Sequence, residues 1–214
     1  MTTARPQIAL ATGNAHKVAE LSDWLGKAGL PVDVVSAEAF GGMPEVEETG
    51  LTFEANARLK AEGLRAAAVE RAQPLPWLIL TDDSGLEVDA LGGAPGVFSA
   101  RFAGAGASDA RNNAKLLAAL EEVPEAERTA RFVCHLYGLM SDGRTLSLRG
   151  EVTGRIASEA AGEQGFGYDP LFVPDGYAET FGQLGADVKQ RISHRSRALA
   201  ALAERLPELL KGDA

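Results

Sequence analysis

Four consecutive apolar residues, Trp77-Leu78-Ile79-Leu80, run directly into Thr81-Asp82-Asp83-Ser84-Gly85. An unbroken apolar run of this length reads as a buried strand, and buried strands belong to sheets covered by helices. An α/β fold is therefore expected, with the polar cluster at the carboxyl end of that strand, where open α/β sheets gather their ligands.

The rest of the chain supports the same architecture. Ile8 to Ala11 reads as a short buried strand, and after Thr12-Gly13-Asn14 the positions Val18, Leu21, Leu25 and Ala28 follow helical spacing up to Gly29. Pro31 to Val35 suggests a second strand. From Thr52, a plausible N-cap, a long helix is expected to about Ala72 through Phe53, Ala57, Leu64 and Ala68. Ser108 can cap a helix through Leu120; Thr129 to Met140 and Thr145 to Val152 read as strands joined around Asp142-Gly143; Ser193 can cap a last helix with a Leu199, Leu202, Leu206 stripe. Strands and helices alternate irregularly, so the sheet should not be purely parallel. No repeat or linker divides the 214 residues, and a single domain over 1–214 is expected.

Composition narrows the functions open to such a fold. A net charge of −9 argues against attraction to DNA, RNA or anionic lipid. The single cysteine, Cys134, excludes an internal disulfide and a thiolate-rich metal site, and its apolar setting reads as packing. No window approaches a membrane span and nothing marks export, so a soluble cytoplasmic protein is expected. Lysine is scarce: Lys17, Lys27, Lys60, Lys115, Lys189 and Lys211 stand among a majority of arginines, so each lysine merits attention.

Several constellations could carry chemistry. Thr12-Gly13-Asn14-Ala15-His16-Lys17 places a turn and a lysine at a helix start, where free N–H groups and the helix dipole suit a phosphate, although an ordinary helix-capping turn fits too. Adjacent Asp82 and Asp83 at the end of a buried strand repel one another unless a cation or proton separates them, and a divalent metal is the economical answer. Mg²⁺ takes one or two protein carboxylates, so a distant Glu from Glu45-Val46-Glu47-Glu48 would complete the site. Asn56 and Lys60 share a helix face, with Gly63 leaving room for a ligand or another backbone. Gly165-Phe166-Gly167-Tyr168-Asp169-Pro170 can present aromatic faces and an acceptor to a base. Lys189, His194 and Arg195 cluster at the start of the last helix, where positive charge opposes the dipole and calls for another gain.

These segments match, in order, TGNxxKxxEL (Thr12 to Leu21), EETGxTFxxNAxxKA (Glu47 to Ala61), DDSGLxVDxLxGxPGxxSARF (Asp82 to Phe102), GFGYDPxFxPxG (Gly165 to Gly176) and KxxISHRxxAL (Lys189 to Leu199). The chain closely resembles the inosine triphosphate pyrophosphatase family, which hydrolyses deaminated purine nucleoside triphosphates to monophosphate and pyrophosphate. The resemblance spans about residues 8 to 205. It implies an elongated mixed sheet flanked by helices, in two lobes around a nucleotide-binding cleft, and a homodimer. Carried onto this sequence, it implies a phosphate cradle from Thr12, Gly13, Asn14, Ala15, His16 and Lys17, and an Mg²⁺ site from Glu48 and Asp83, with Glu47 the runner-up to Glu48. Asp83 would act as base on the attacking water, Lys60 would join it in catalysis, and Ser84 would contact substrate. Phe166, Gly167, Tyr168 and Asp169 would hold the base, with Lys189, His194 and Arg195 completing the site. Lys17, Lys60 and Lys189 are expected to converge on the triphosphate. A metal-dependent nuclease built on Asp82-Asp83 and a non-catalytic nucleotide sensor are the competing readings; the acidic balance disfavours the first and the intact acidic pair the second.

Overall fold

The computed structural model describes residues 5–12 and 15–211; Gly13 and Asn14, with the side chains of Ala15 and His16, lie outside the described residues. Strand β1 (Gln7–Leu10) is the middle of a parallel trio. It pairs with β2 (Asp33–Ser36) in the register Ile8 to Val34, and with β3 (Leu78–Val88) in the registers Ile8 to Leu78 and Leu10 to Leu80. Pro31 lacks an N–H, and β2 starts later than its sequence suggests, where Asp33 N–H donates to Pro6 O at 3.0 Å.

Helix α1 (Ala15–Lys27) follows β1 and buries Leu21 and Leu25. It ends at Gly29, whose φ of +71° is the left-handed cap a β-carbon would oppose, with Leu30 N–H closing onto Leu25 O. Helix α2 (Phe53–Glu70) is capped by Thr52, whose Oγ1 accepts from Ala55 N–H at 3.1 Å. Its buried face runs through Phe53, Asn56, Ala57, Ala61, Leu64 and Ala68, and the alanines let the helix lie close to the sheet. Burial of a side chain such as Leu64 stabilises by roughly 1.5–3 kcal/mol.

The second half contains α3 (Asp109–Ala119), β4 (Thr129–Met140), β5 (Thr145–Ile156), β6 (Phe172–Pro174), α4 (Ala186–Ile192) and α5 (His194–Lys211). The Ser108 and Ser193 caps form as expected, accepting from Arg111 N–H and Ser196 N–H. Strand order is β2-β1-β3-β4-β5-β6, and β6 pairs antiparallel with β5, Ile156 opposite Phe172. The fold is thus a mixed six-stranded α/β sheet. Strand β5 continues past Val152 because Val152 and Ile156 both enter the core. Cys134 is buried within β4.

The chain forms two compact units, one from Met1–Asp83, His135–Arg149 and Ala198–Ala214, the other from Ser84–Cys134 and Gly150–Arg197. The first unit's core gathers Ala9, Ala57, Leu64, Ile79, Tyr137 and Leu139; the second's gathers Leu86, Leu116, Phe132, Ile156, Phe172 and Phe181. No helix among the described residues is long and apolar enough to cross a membrane.

Candidate active site

The largest departure from the sequence reading concerns β3. It does not stop at Leu80 but continues through the polar cluster to Val88, because Leu86 and Val88 have a core of their own to enter. Asp82 and Asp83 therefore sit inside a strand. They nonetheless lie just beyond the last β1 pairing, Leu10 to Leu80, at the carboxyl end of the parallel trio.

The pleat separates the two carboxylates. Successive side chains of a strand point to opposite faces. On one face Ile79 packs with α2 residues, Thr81 Oγ1 donates to Ala57 O at 2.6 Å, and Asp83 meets α2 through Lys60 and Asn56. Asp82 turns the other way, its Oδ1 3.8 Å from Lys17 Nζ on α1. The two carboxylate side chains thus point apart, and each faces a lysine of a different helix.

The carboxylates that do share a cation are distant in sequence. Lys60 Nζ lies 3.0 Å from Asp83 Oδ1 and 3.2 Å from Glu48 Oε1, and it donates to Asp82 O at 3.3 Å. Burial pushes Lys60 toward the neutral amine, but Asp83 and Glu48 outweigh it and hold the ammonium above its usual range. Burial also pushes the Asp83 carboxyl up, with Lys60 opposing and Glu48 reinforcing the rise. Of the two glutamates considered, Glu48 reaches this cluster, whereas Glu47 is exposed.

Asn56, which the sequence singles out only for sharing a helix face with Lys60, ties the cluster together. It is 0% exposed; its Oδ1 accepts from Gly50 N–H at 2.8 Å, fixing the segment that carries Glu48, and its Nδ2 donates to Asp83 Oδ2 at 3.3 Å. Helical spacing to Lys60 was the available signal. Gly63 accommodates a neighbouring segment rather than a ligand: a Cβ there would come within 2.6 Å of Val46 Cγ2. Above these groups lies a cavity of about 240 Å³, lined by Ala11, Thr12, Lys17, Met43, Pro44, Val46, Glu48, Lys60 and Asp82. It is smaller than the roughly 300–1,000 Å³ usual for a whole small-molecule ligand, so it suits a polar fragment such as a phosphate chain.

The other expected residues belong to the second unit. Phe166 is 72% exposed. Tyr168 and Asp169 are not presented in the same way. Tyr168 is a core residue whose hydroxyl donates to Ser99 O at 2.8 Å, and burial pushes that phenol up. Asp169 is 1% exposed; its Oδ2 accepts from Phe166 N–H at 2.8 Å and from Lys189. A buried carboxylate so satisfied holds the turn. Gly167 is held by α3: its N–H donates to Asp109 Oδ2 at 2.7 Å and its carbonyl accepts from Asn113 Nδ2 at 3.0 Å. Lys189 Nζ lies 4.5 Å from the Phe166 ring centroid, so in this unit it serves Asp169 and Phe166. His194 stacks on Phe132 at 5.1 Å between centroids, and Arg195 beside it is half-buried. Ser84 Oγ is buried and has no hydrogen-bond partner among the described residues.

Fold and site together define an α/β protein in which Lys60 bridges the carboxylates of Glu48 and Asp83 beside a small polar cavity. The chain belongs to the Ham1 family, whose model matches residues 8–205. It is 48% identical over 204 residues to the dITP/XTP pyrophosphatase of Exiguobacterium sibiricum, an alignment covering 95% of this chain and 98% of the relative. Among solved structures, a HAM1 protein from Coxiella burnetii superposes with a TM-score of 0.84 at 38% identity, over 95% of this chain and 99% of that one. The Mycobacterium abscessus nucleoside-triphosphatase, dITP/XTP pyrophosphatase, superposes with a TM-score of 0.77 at 42% identity, over 92% and 97%.

Proposed function

We propose that this chain is an Mg²⁺-dependent nucleoside triphosphate pyrophosphatase. It hydrolyses dITP, ITP and dXTP or XTP to the monophosphate and pyrophosphate, keeping deaminated purines out of nucleic acid. The observation that carries this reading is the Lys60 bridge between Glu48 and Asp83 beside a cavity that also holds Lys17. The activities printed for its relatives support the substrate class.

The donor set fits the metal. Glu48 and Asp83 are two hard oxygen donors drawn to one positive charge, and Mg²⁺ requires no more than one or two protein carboxylates. The chemistry such an ion supplies when bound is neutralisation of phosphate charge during attack on the α-phosphorus. This chain's own groups do the rest. Asp83, pushed up by burial, accepts the proton of the attacking water as its oxygen bonds to the α-phosphorus and the bond to the pyrophosphate oxygen breaks. Lys17 and Lys60 act as compact positive charges on the phosphate chain, with Thr12 at the cavity wall. Gly13, Asn14, Ala15 and His16 belong to the same proposed cradle.

In the second unit the exposed Phe166 ring offers a stacking face for the purine, Ser84 contacts substrate, and His194 or Arg195 supplies a donor to O6. Hypoxanthine and xanthine present an acceptor at O6 where adenine presents an N6 donor, so a donor placed there disfavours ATP by leaving polar groups unpaired. Arg195→Ala is expected to narrow the difference in kcat/KM between ITP and ATP; equal loss on both would make Arg195 a phosphate ligand instead. We further propose that the chain acts as one domain over 1–214 and as a cytoplasmic homodimer, a state that light scattering of the purified protein reads directly.

Pyrophosphate release with Mg²⁺ is the test of the whole reading. Turnover is expected on dITP, ITP and XTP, with ATP and GTP slower and single-stranded DNA untouched. Cleavage of DNA would favour a nuclease, and tight binding of ITP without release a sensor.

A further inference from the structure

We infer that Asp109 and Asn113 on α3 are positioning residues for purine recognition, acting through Gly167 on the Phe166 ring. The inference rests on the reading of Phe166 as the stacking face. Asp109 and Asn113 stand four residues apart on one helix face and take hold of Gly167 at both polar backbone atoms, its N–H and its carbonyl. Gly167 has φ of +63°, a conformation L side chains rarely adopt. On the other side Asp169 Oδ2 fixes Phe166 N–H. The backbone of Phe166 is therefore held before and after its ring, while the ring itself stays exposed. A platform fixed in this way loses little freedom when a base settles on it.

The anchor is itself rigid. Asn112, next to Asn113, is 3% exposed, accepts from Ala103 N–H at 2.8 Å and donates to Ala100 O at 3.2 Å. Leu116 and Leu120 bury the same helix in the second unit's core. Asn113 also leaves its Oδ1 buried and without a hydrogen-bond partner among the described residues. Reversing the amide would set that oxygen against the Gly167 carbonyl. The observed orientation is the one that keeps the bond to Gly167.

The test compares Asp109→Ala with Asn113→Ala combined, Phe166→Ala alone, and all three together, measuring KM and kcat for dITP and the Kd of IMP by calorimetry. The paired α3 variant is expected to raise KM and Kd about tenfold with kcat changed by no more than about twofold, the pattern of lost binding rather than lost chemistry. The triple variant should be no weaker than Phe166→Ala, because both act through one ring. Asp109→Asn, whose amide oxygen can still accept from Gly167 N–H, should recover most of the loss at that position, which general destabilisation would not reproduce. Should the paired variant fold poorly, Asn113→Ala alone, at a site where alanine favours the helix, is expected to raise KM about threefold. Unchanged KM in the α3 variants while Phe166→Ala raises it overturns this inference and leaves the stacking reading intact, as do multiplying effects in the triple variant. Unchanged KM and Kd in Phe166→Ala overturn both.

Discussion

Asp83→Asn should lower kcat for dITP by about a thousandfold or more, within the range general-base removal produces when its carboxylate also faces a cation site. The replacement is nearly isosteric, so the measurement isolates charge and basicity. Asp83 Oδ1 receives Lys60 at 3.0 Å and Oδ2 receives Asn56 at 3.3 Å. An asparagine keeps one acceptor for these donors but cannot take a proton from water. Because burial disfavours the charged carboxylate of the native residue, the thermal midpoint is expected to hold or rise. Steady-state pyrophosphate release and calorimetric binding of nucleotide to the same variant decide the matter: kcat collapses while affinity stays within about threefold. A fall in kcat of less than tenfold would remove Asp83 from the chemistry.

The second large effect is expected at Lys60. Methionine preserves much of its stem packing and deletes the ammonium that Asp83 and Glu48 share. Turnover is expected to drop about a hundredfold, since a positive charge on the phosphate chain is lost. The discriminating readout is the Mg²⁺ concentration dependence. With the ammonium gone, two facing carboxylates have no counter-charge, and half-saturation should move to lower Mg²⁺ even as kcat falls. Half-saturation moving to higher Mg²⁺ would mean that Lys60 organises the carboxylates for the ion rather than competing with it.

Local signals in the sequence carried the elements well. Thr52, Ser108 and Ser193 cap the helices they precede, because a cap is a contact within three residues and its chemistry is visible in the chain. The end of β3 was not legible in the same way: Leu86 and Val88 extend the strand because partners far along the chain bury them. The site divides along the same line. Lys60, Glu48 and Asp83, which the motif resemblance named, lie in one cluster, with Lys60 within ion-pair distance of both carboxylates. The double link made by Asn56 and the hold of Asp109 and Asn113 on Gly167 depend on long-range placement, which residue spacing alone does not encode. Tyr168 and Asp169 sit within an expected motif yet turn inward, because aromatic and acidic residues in a glycine-rich turn are equally suited to hold the turn and to meet a ligand.

Because β3 hands Asp82 to α1 and Asp83 to α2 by simple alternation, the two aspartates are not interchangeable despite being identical neighbours. Their identities are set by parity, odd or even along the strand. Conservative apolar exchanges between Leu78 and Leu80 leave that parity untouched, whereas removing or adding one residue there would deliver each carboxylate to the wrong helix while leaving a run still capable of forming a strand. In this segment, length is under tighter constraint than side-chain identity.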